Sequence, residues 1–164
     1  MTNKPSSPVC YAADASDSYM GYADRDEILA ALNELLEAER AGARVAAHSH
    51  RETSRATYDE LMQDVGRDEA HWCAMLTQQI QLLGGQPSHQ TGAFFAQAMA
   101  ISDLVDRLVF LNRGQAWVVR KIERLLLRVR DDALHADLKE MADRHRTNIE
   151  RTQAFLEEPP SPHT

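Results

Sequence analysis

Apolar and small residues recur in four separate stretches at the three-to-four spacing of a helix face. The first runs through Ile28, Leu32, Leu35, Gly42 and Ala46, with Asp24 or Asp26 placed to cap its start. The second follows Leu61, Val65, Asp68, Trp72 and Met75 behind a Thr57-Tyr58-Asp59-Glu60 capping box, and a double glycine, Gly84-Gly85, ends it. The third carries Val105, Leu108, Asn112, Gln115, Val119, Ile122, Leu126 and Val129. After a turn and cap at Asp131-Asp132, the fourth carries Leu134, Leu138, Met141, His145, Ile149 or Asn148, Thr152 and Leu156.

Proline punctuates this pattern only at its edges and centre, at positions 5, 8, 87, 159, 160 and 162. Two long proline-free halves around Gly84-Gly85-Gln86-Pro87 therefore predict two helical hairpins. No alternating β pattern is present. The expected architecture is all-α, a four-helix bundle over residues 23–158, with a mobile arm at 1–22 and a short tail at 159–164. The connection at 85–101 extends to about 50 Å, whereas a 28-residue helix is about 42 Å long. It can thus return the chain from one end of the bundle to the other, as a bundle with one long crossover requires.

The chain has 164 residues, enough for one domain with its own core and no need of a disulfide or metal for stability alone. Its net charge of −7 disfavours a general nucleic-acid binder. The basic stretch from Arg113 to Arg130 reads as a solvated helix face. No apolar run reaches the ~18–20 residues that span a bilayer, and Met1 to Ser18 lacks the apolar region of a secretory signal. Two cysteines, Cys10 and Cys73, build no disulfide framework, so the expected compartment is the reducing cytoplasm. Cys73 beside Trp72 reads as a small buried hydrophobe.

Several polar residues interrupt the inward faces. Glu39 lies on the line of Leu32 and Leu35. Asp68 and His71, three residues apart, share a face of the second helix. His145 lies on the line of Leu138 and Met141. In an antiparallel hairpin turning near residues 53–55, Glu39 stands level with Asp68 and His71; in the second hairpin Gln115 stands close to the level of His145. A carboxylate, an Asp/His pair, a carboxamide and a second imidazole are thus expected to converge at mid-bundle. Burying an ionised carboxylate without a partner is very costly, and a buried imidazole needs both nitrogens satisfied. A divalent first-row metal meets both demands. For Asn112 and Gln115, an amide pair that fixes helix register is the leading reading.

These segments resemble the ferritin-like superfamily, in particular bacterioferritin and rubrerythrin relatives. Leu35-Leu36-Glu37-Ala38-Glu39-Arg40-Ala41-Gly42-Ala43 looks like the ligand segment of helix 1, with Glu39 in the ligand place. Asp68-Glu69-Ala70-His71 looks like the Glu-x-x-His motif of helix 2 with Asp for Glu, and Asp143-Arg144-His145 looks like the segment of helix 4. The resemblance covers about residues 24–157 and is strongest to poorly characterised bacterial ferritin-like proteins. It departs where Ala142 replaces the helix 4 Glu and where helix 3 offers Asn112 and Gln115 for its Glu, with Glu123 further along and off the inner line.

The ligand set expected from this reading is Glu39, Asp68, His71 and His145, with Asn112, Gln115 and Glu123 as supporting positions. Two carboxylates and two imidazoles suit one ion better than two. Iron is the first candidate, with manganese or zinc as alternatives. The function implied is a metal-binding bundle, redox-active toward dioxygen or peroxide if catalytic, with an unidentified small-molecule substrate. By analogy the chain is a homodimer, with no nucleic-acid or membrane partner. The alternative is a metal-free helical interaction protein whose inner polar cluster sets register.

Overall fold

Asp24 sets the first helix: its side chain accepts from the Glu27 amide while the Glu27 carboxylate takes the Asp24 amide, a reciprocal cap. In the computed structural model, which describes residues 20–158, helix α1 spans Arg25–Glu52, α2 Ala56–Leu82, α3 Phe94–Met99, α4 Leu104–Leu126 and α5 Asp132–Glu157. Among the described residues there are no strands, and no helix is long and apolar enough to cross a membrane. Most of the expected arm (1–22) and the tail (159–164) lie outside the described residues.

Two details of the helix starts differ from expectation. Helix α2 begins before Thr57, behind Arg55, and no side chain caps it. The proposed box therefore falls inside the first turn. Asp131, by contrast, caps α5 by accepting from the Leu134 amide at 2.7 Å. At the far end of α2, Gly84 takes φ +69°, a backbone state that suits glycine, and Gly85 N–H closes back on Ile80 at 2.9 Å.

The helices pair as two hairpins, α1 with α2 and α4 with α5, and the hairpins meet along α1/α4 and α2/α5. Tyr58, near the start of α2, donates to the Leu104 carbonyl at the start of α4. Ala23, just before α1, donates to the Arg128 carbonyl just past α4. Helices α2 and α4 thus run parallel, which only a crossover along the whole bundle allows. This is the ferritin-like topology.

The crossover holds to the outer face of α1 through polar contacts. Asn33 bonds both the Gln86 carbonyl (3.2 Å) and the Ser88 amide (2.7 Å), Ser88 Oγ donates to Glu37, and Arg40 donates to the Ser88 carbonyl. Further along, Phe95 packs under the Arg44 guanidinium at 4.1 Å, and Phe94 stacks on Phe110 at 4.8 Å. The weakly patterned segment of the sequence therefore contains one short helix, α3, laid against α1 and α4.

Two aliphatic clusters form the interior. One, toward the α2 C-terminus, contains Leu32, Leu35, Leu36, Leu76, Ile80, Ile122, Leu138 and Met141; the other, toward the α2 N-terminus, contains Val45, Met62, Val65, Leu108 and Leu111. Burial of each such side chain contributes roughly 1.5–3 kcal/mol. Between the two clusters the core turns polar.

Candidate metal centre

Each of three helices places one ionisable side chain in this polar layer. Glu39 (α1), Glu69 (α2) and His145 (α5) are 0%, 4% and 1% exposed. Each offers a ligand atom within 4.8 Å of the other two. Glu39 follows Leu35 and Leu36 on the buried stripe of α1, and His145 follows Met141 and Ala142 on that of α5. Glu69 sits on a stripe of α2 running Tyr58, Met62, Val65, Glu69, Trp72, Leu76 and Ile80.

Asp68 and His71 are not part of this group. One residue along a helix is a turn of 100°, and this takes Asp68 off the inward stripe. Its carboxylate accepts from Arg144 at 2.7 Å and from Asn148 at 2.9 Å, tying α2 to α5. His71 is exposed, with its ring against the edge of Trp72 at 4.5 Å. Both line a shallow surface depression. The Asp-x-x-His spacing was the misleading signal. The informative one was Leu76 and Ile80, whose fully buried aliphatic chains stand seven and eleven residues beyond Glu69.

Of the supporting positions, Glu123 is exposed and paired with Arg146 at 2.7 Å, away from the centre. Asn112 is half-buried and Gln115 buried; the side-chain oxygens of both lack a hydrogen-bond partner. They form no amide pair with each other. Cys73, half-buried one turn beyond Glu69, has its thiol pushed up to about 12 by burial and then by Glu39 and Glu69, so it stays protonated.

His145 Nδ1 lies 3.0 Å from the Met141 carbonyl. A carbonyl only accepts, so that nitrogen carries the proton and, in the neutral ring, Nε2 keeps its lone pair. Nε2 lies 3.1 Å from Glu39 Oε1, yet neither atom has a partner in hydrogen-bond geometry, and Glu39 Oε2 has none either. Donor atoms that gather closely without aligning on one another suit a shared central cation. A backbone carbonyl on the far nitrogen of a ligating imidazole is also the usual way to fix its tautomer.

Burial drives the carboxyl chemistry. It pushes Glu39 up to about 8, partly relieved by its contact with Glu69. Glu69 is held well above the usual range by burial first and by the neighbouring Glu39 charge second, although His145 works the other way. Without a cation, burial therefore favours the protonated form of both carboxyls, and Glu39 holds its proton at neutral pH.

Gly42 makes room for this arrangement. A Cβ at that position would lie 2.8 Å from both Cδ and Oε2 of Glu69. Backbone of α1 thus approaches the Glu69 carboxyl directly.

The sequence matches the family described as Domain of unknown function (DUF6306) over residues 26–154. The chain belongs to that family. No curated protein matches it significantly. Among solved structures, one described as "ferritin like, diiron-carboxylate proteins from Bacillus anthracis str. Ames" superposes with a TM-score of 0.74 at 18% identity, covering 80% of this chain and 96% of the other. The DUF6306 bundle is ferritin-like in fold.

In dinuclear carboxylate bundles, two helices each carry Glu-x-x-His and two others a single Glu. With Glu69 as the inward carboxylate, three residues on brings Trp72, not histidine, to the buried face; three residues before His145 stands Ala142. In the DUF6306 chain each of these two spacings thus has a single ionisable residue on the buried face, Glu69 on α2 and His145 on α5. At the same level α1 places the buried Glu39 and α4 the buried Gln115.

Two glycine substitutions separate ligand geometry from helix propensity. Gly42→Ala is expected to weaken metal binding at least tenfold, because the methyl group displaces Glu69. Its effect on metal-free stability should be small, since about 1 kcal/mol of helix propensity opposes an overpacking cost of about 1–3 kcal/mol. Gly66→Ala, whose Cβ would meet only Ala46 at 3.5 Å, is expected to raise Tm by a few degrees and leave metal affinity unchanged. Calorimetric melting and metal titration of both variants check the pair.

Proposed function

We propose that this chain binds a single divalent first-row metal ion, iron first among the candidates, through Glu39, Glu69 and His145, and uses it in redox chemistry toward dioxygen or peroxide. The supporting observation is the convergence of three buried ligand side chains, of which the Glu39 carboxylate and His145 Nε2 have no hydrogen-bond partner. Two carboxylates and one neutral imidazole form a set that iron(II), manganese(II) and zinc(II) all accept. The diiron-carboxylate description of the similar bundle adds to this reading. Trp72 and Ala142 argue for one ion over two, because each takes the buried place at which a second ion would need a ligand.

Three oxygen and nitrogen ligands leave open coordination positions, and a redox metal held there would supply electron transfer to a small molecule. The protein's own part is to hold the ligands, exclude water and manage protons. Met141 O orients the His145 ring. The apolar clusters above and below lower the local polarity. A cation displaces the proton that burial holds on Glu39, and favours ionised Glu69 in the same way, so uptake is proton-linked.

Elemental analysis of untagged protein tests this reading. About one iron or manganese per chain is expected, lost in His145→Ala. Two ions per chain, or full occupancy in a Glu39→Ala, His145→Ala variant, would overturn the ligand set. No uptake of iron, manganese, zinc or cobalt at neutral pH would leave the protein a metal-free bundle with a carboxyl pair at its centre.

A further inference from the structure

Between α1, α4 and the last residues of the crossover lies a cavity of about 560 Å³. Sites for small organic molecules commonly measure roughly 300–1,000 Å³. Its walls are Phe94, Phe110, Leu111, Trp117 and Val118, and its lining also takes in Glu69 and Gly42. The cavity therefore reaches the side chain proposed above as a ligand.

One polar group in this lining is unaccounted for. Gln115 is 3% exposed, lines the cavity, and its carbonyl oxygen Oε1 has no hydrogen-bond partner. An amide oxygen buried without a partner costs about 1–3 kcal/mol; Oε1 is closed off as placed, so a turn of the Gln115 side chain would bring it to the cavity, where a ligand donor would recover that cost. The charged residues of the lining balance in sign, with Glu34 and Glu37 against Arg113 and Arg120 and the buried Glu69 apart. Glu34 already pairs with Lys121, and Glu37 already accepts from Ser88. Nothing there selects for a net charge.

We propose that this cavity binds a neutral, largely apolar small molecule carrying a single O–H or N–H donor, which Gln115 Oε1 accepts while aromatic and aliphatic side chains enclose the rest. Its use as a substrate chamber rests on the metal-site reading; the binding itself does not. Phe94 is the wall that the crossover contributes. Its ring lies on Gly114, where a Cβ would stand 2.7 Å from the ring, so the crossover closes the cavity against a bare stretch of α4.

The experiment uses the full chain, as purified and again after chelation of any bound metal. It is titrated with 4-ethylphenol, ethylbenzene and 4-ethylbenzoate, following the indole N–H of Trp117 and the side-chain amide of Gln115 by NMR. Saturable shifts of both signals with 4-ethylphenol, and about tenfold weaker binding of ethylbenzene, are expected. In Gln115→Leu the two ligands should bind within about twofold of each other. The proposal is overturned if neither ligand gives a saturable shift at Trp117, if the phenol preference survives in Gln115→Leu, or if 4-ethylbenzoate binds tightest. Phenol binding to protein that takes up no metal would defeat the metal reading and leave the cavity assignment standing. Metal uptake without phenol binding would do the reverse.

Discussion

The Glu69→Gln protein is expected to show almost no metal-dependent rise in melting temperature. For the unmodified chain, a metal at a hundred times its dissociation constant adds about 2.7 kcal/mol. In a domain of this size that raises Tm by about 5–10 °C. Removing one of the two charged ligands should weaken binding about a hundredfold or more, which leaves about 1 °C of that rise. The metal-free variant should behave oppositely. Glu69 is buried against Glu39 with only the imidazole of His145 in opposition. An amide removes the like-charge and ionisation costs, so metal-free Glu69→Gln should melt higher than the unmodified chain at pH 8. Scanning calorimetry with and without metal reads both effects. Equal metal-dependent shifts in the two proteins would show that Glu69 is not a ligand.

Metal-free protein should also lose stability as pH rises through neutrality. Glu39 is pushed up to about 8 in the fold by burial, against 4.5 for a free side chain. Below about pH 4.5 it is protonated whether the chain is folded or not, and imposes no cost. Between about 4.5 and 8 the unfolded chain releases the proton while the folded chain keeps it. Stability then falls by about 1.4 kcal/mol per pH unit, or about 3–5 °C in Tm. Above 8 the Glu39 contribution levels off; Glu69, also held well above its usual range, adds to the decline in the same sense. Asp64 and Asp143 act in the other sense, held below their usual range by hydrogen bonds from Arg151 and Lys139, but their effect is confined to about pH 4 and below. Bound metal should reverse the trend, since a cation replaces the protons and its affinity grows with pH. A flat Tm across pH 5–8 in chelated protein would show that the carboxyls are solvated, and Glu39→Gln should flatten the Glu39 part of the slope.

The bundle was legible in the sequence because its information is redundant. Every helix repeats the same apolar period several times, and prolines and the glycine pair mark where it stops. A single misassigned residue, such as Leu156 expected inward where Phe155 is buried, changes nothing in the fold. The polar layer has no such redundancy, since each helix contributes one residue. Glu39 and His145 were placed inward because their stripes are unambiguous on both sides. On α2, Asp68 and Glu69 both fit between Val65 and Trp72, and the sequence offered an Asp-x-x-His spacing that belongs to the surface. Only the packing of Leu76 and Ile80 decides between them. Gly42 carried a signal of another kind, a missing side chain, and nothing in α1 alone says which neighbour fills that space.

The approach of Gly42 to Glu69 also couples two positions that share no chemistry of their own. With a side chain at 42, a shorter acid at 69 would have to stand in for the full length of glutamate. A Gly42→Ala, Glu69→Asp double replacement should therefore be tolerated better than the alanine alone. Across diverging members of this lineage, residues 42 and 69 should be exchanged in concert, one growing as the other shrinks.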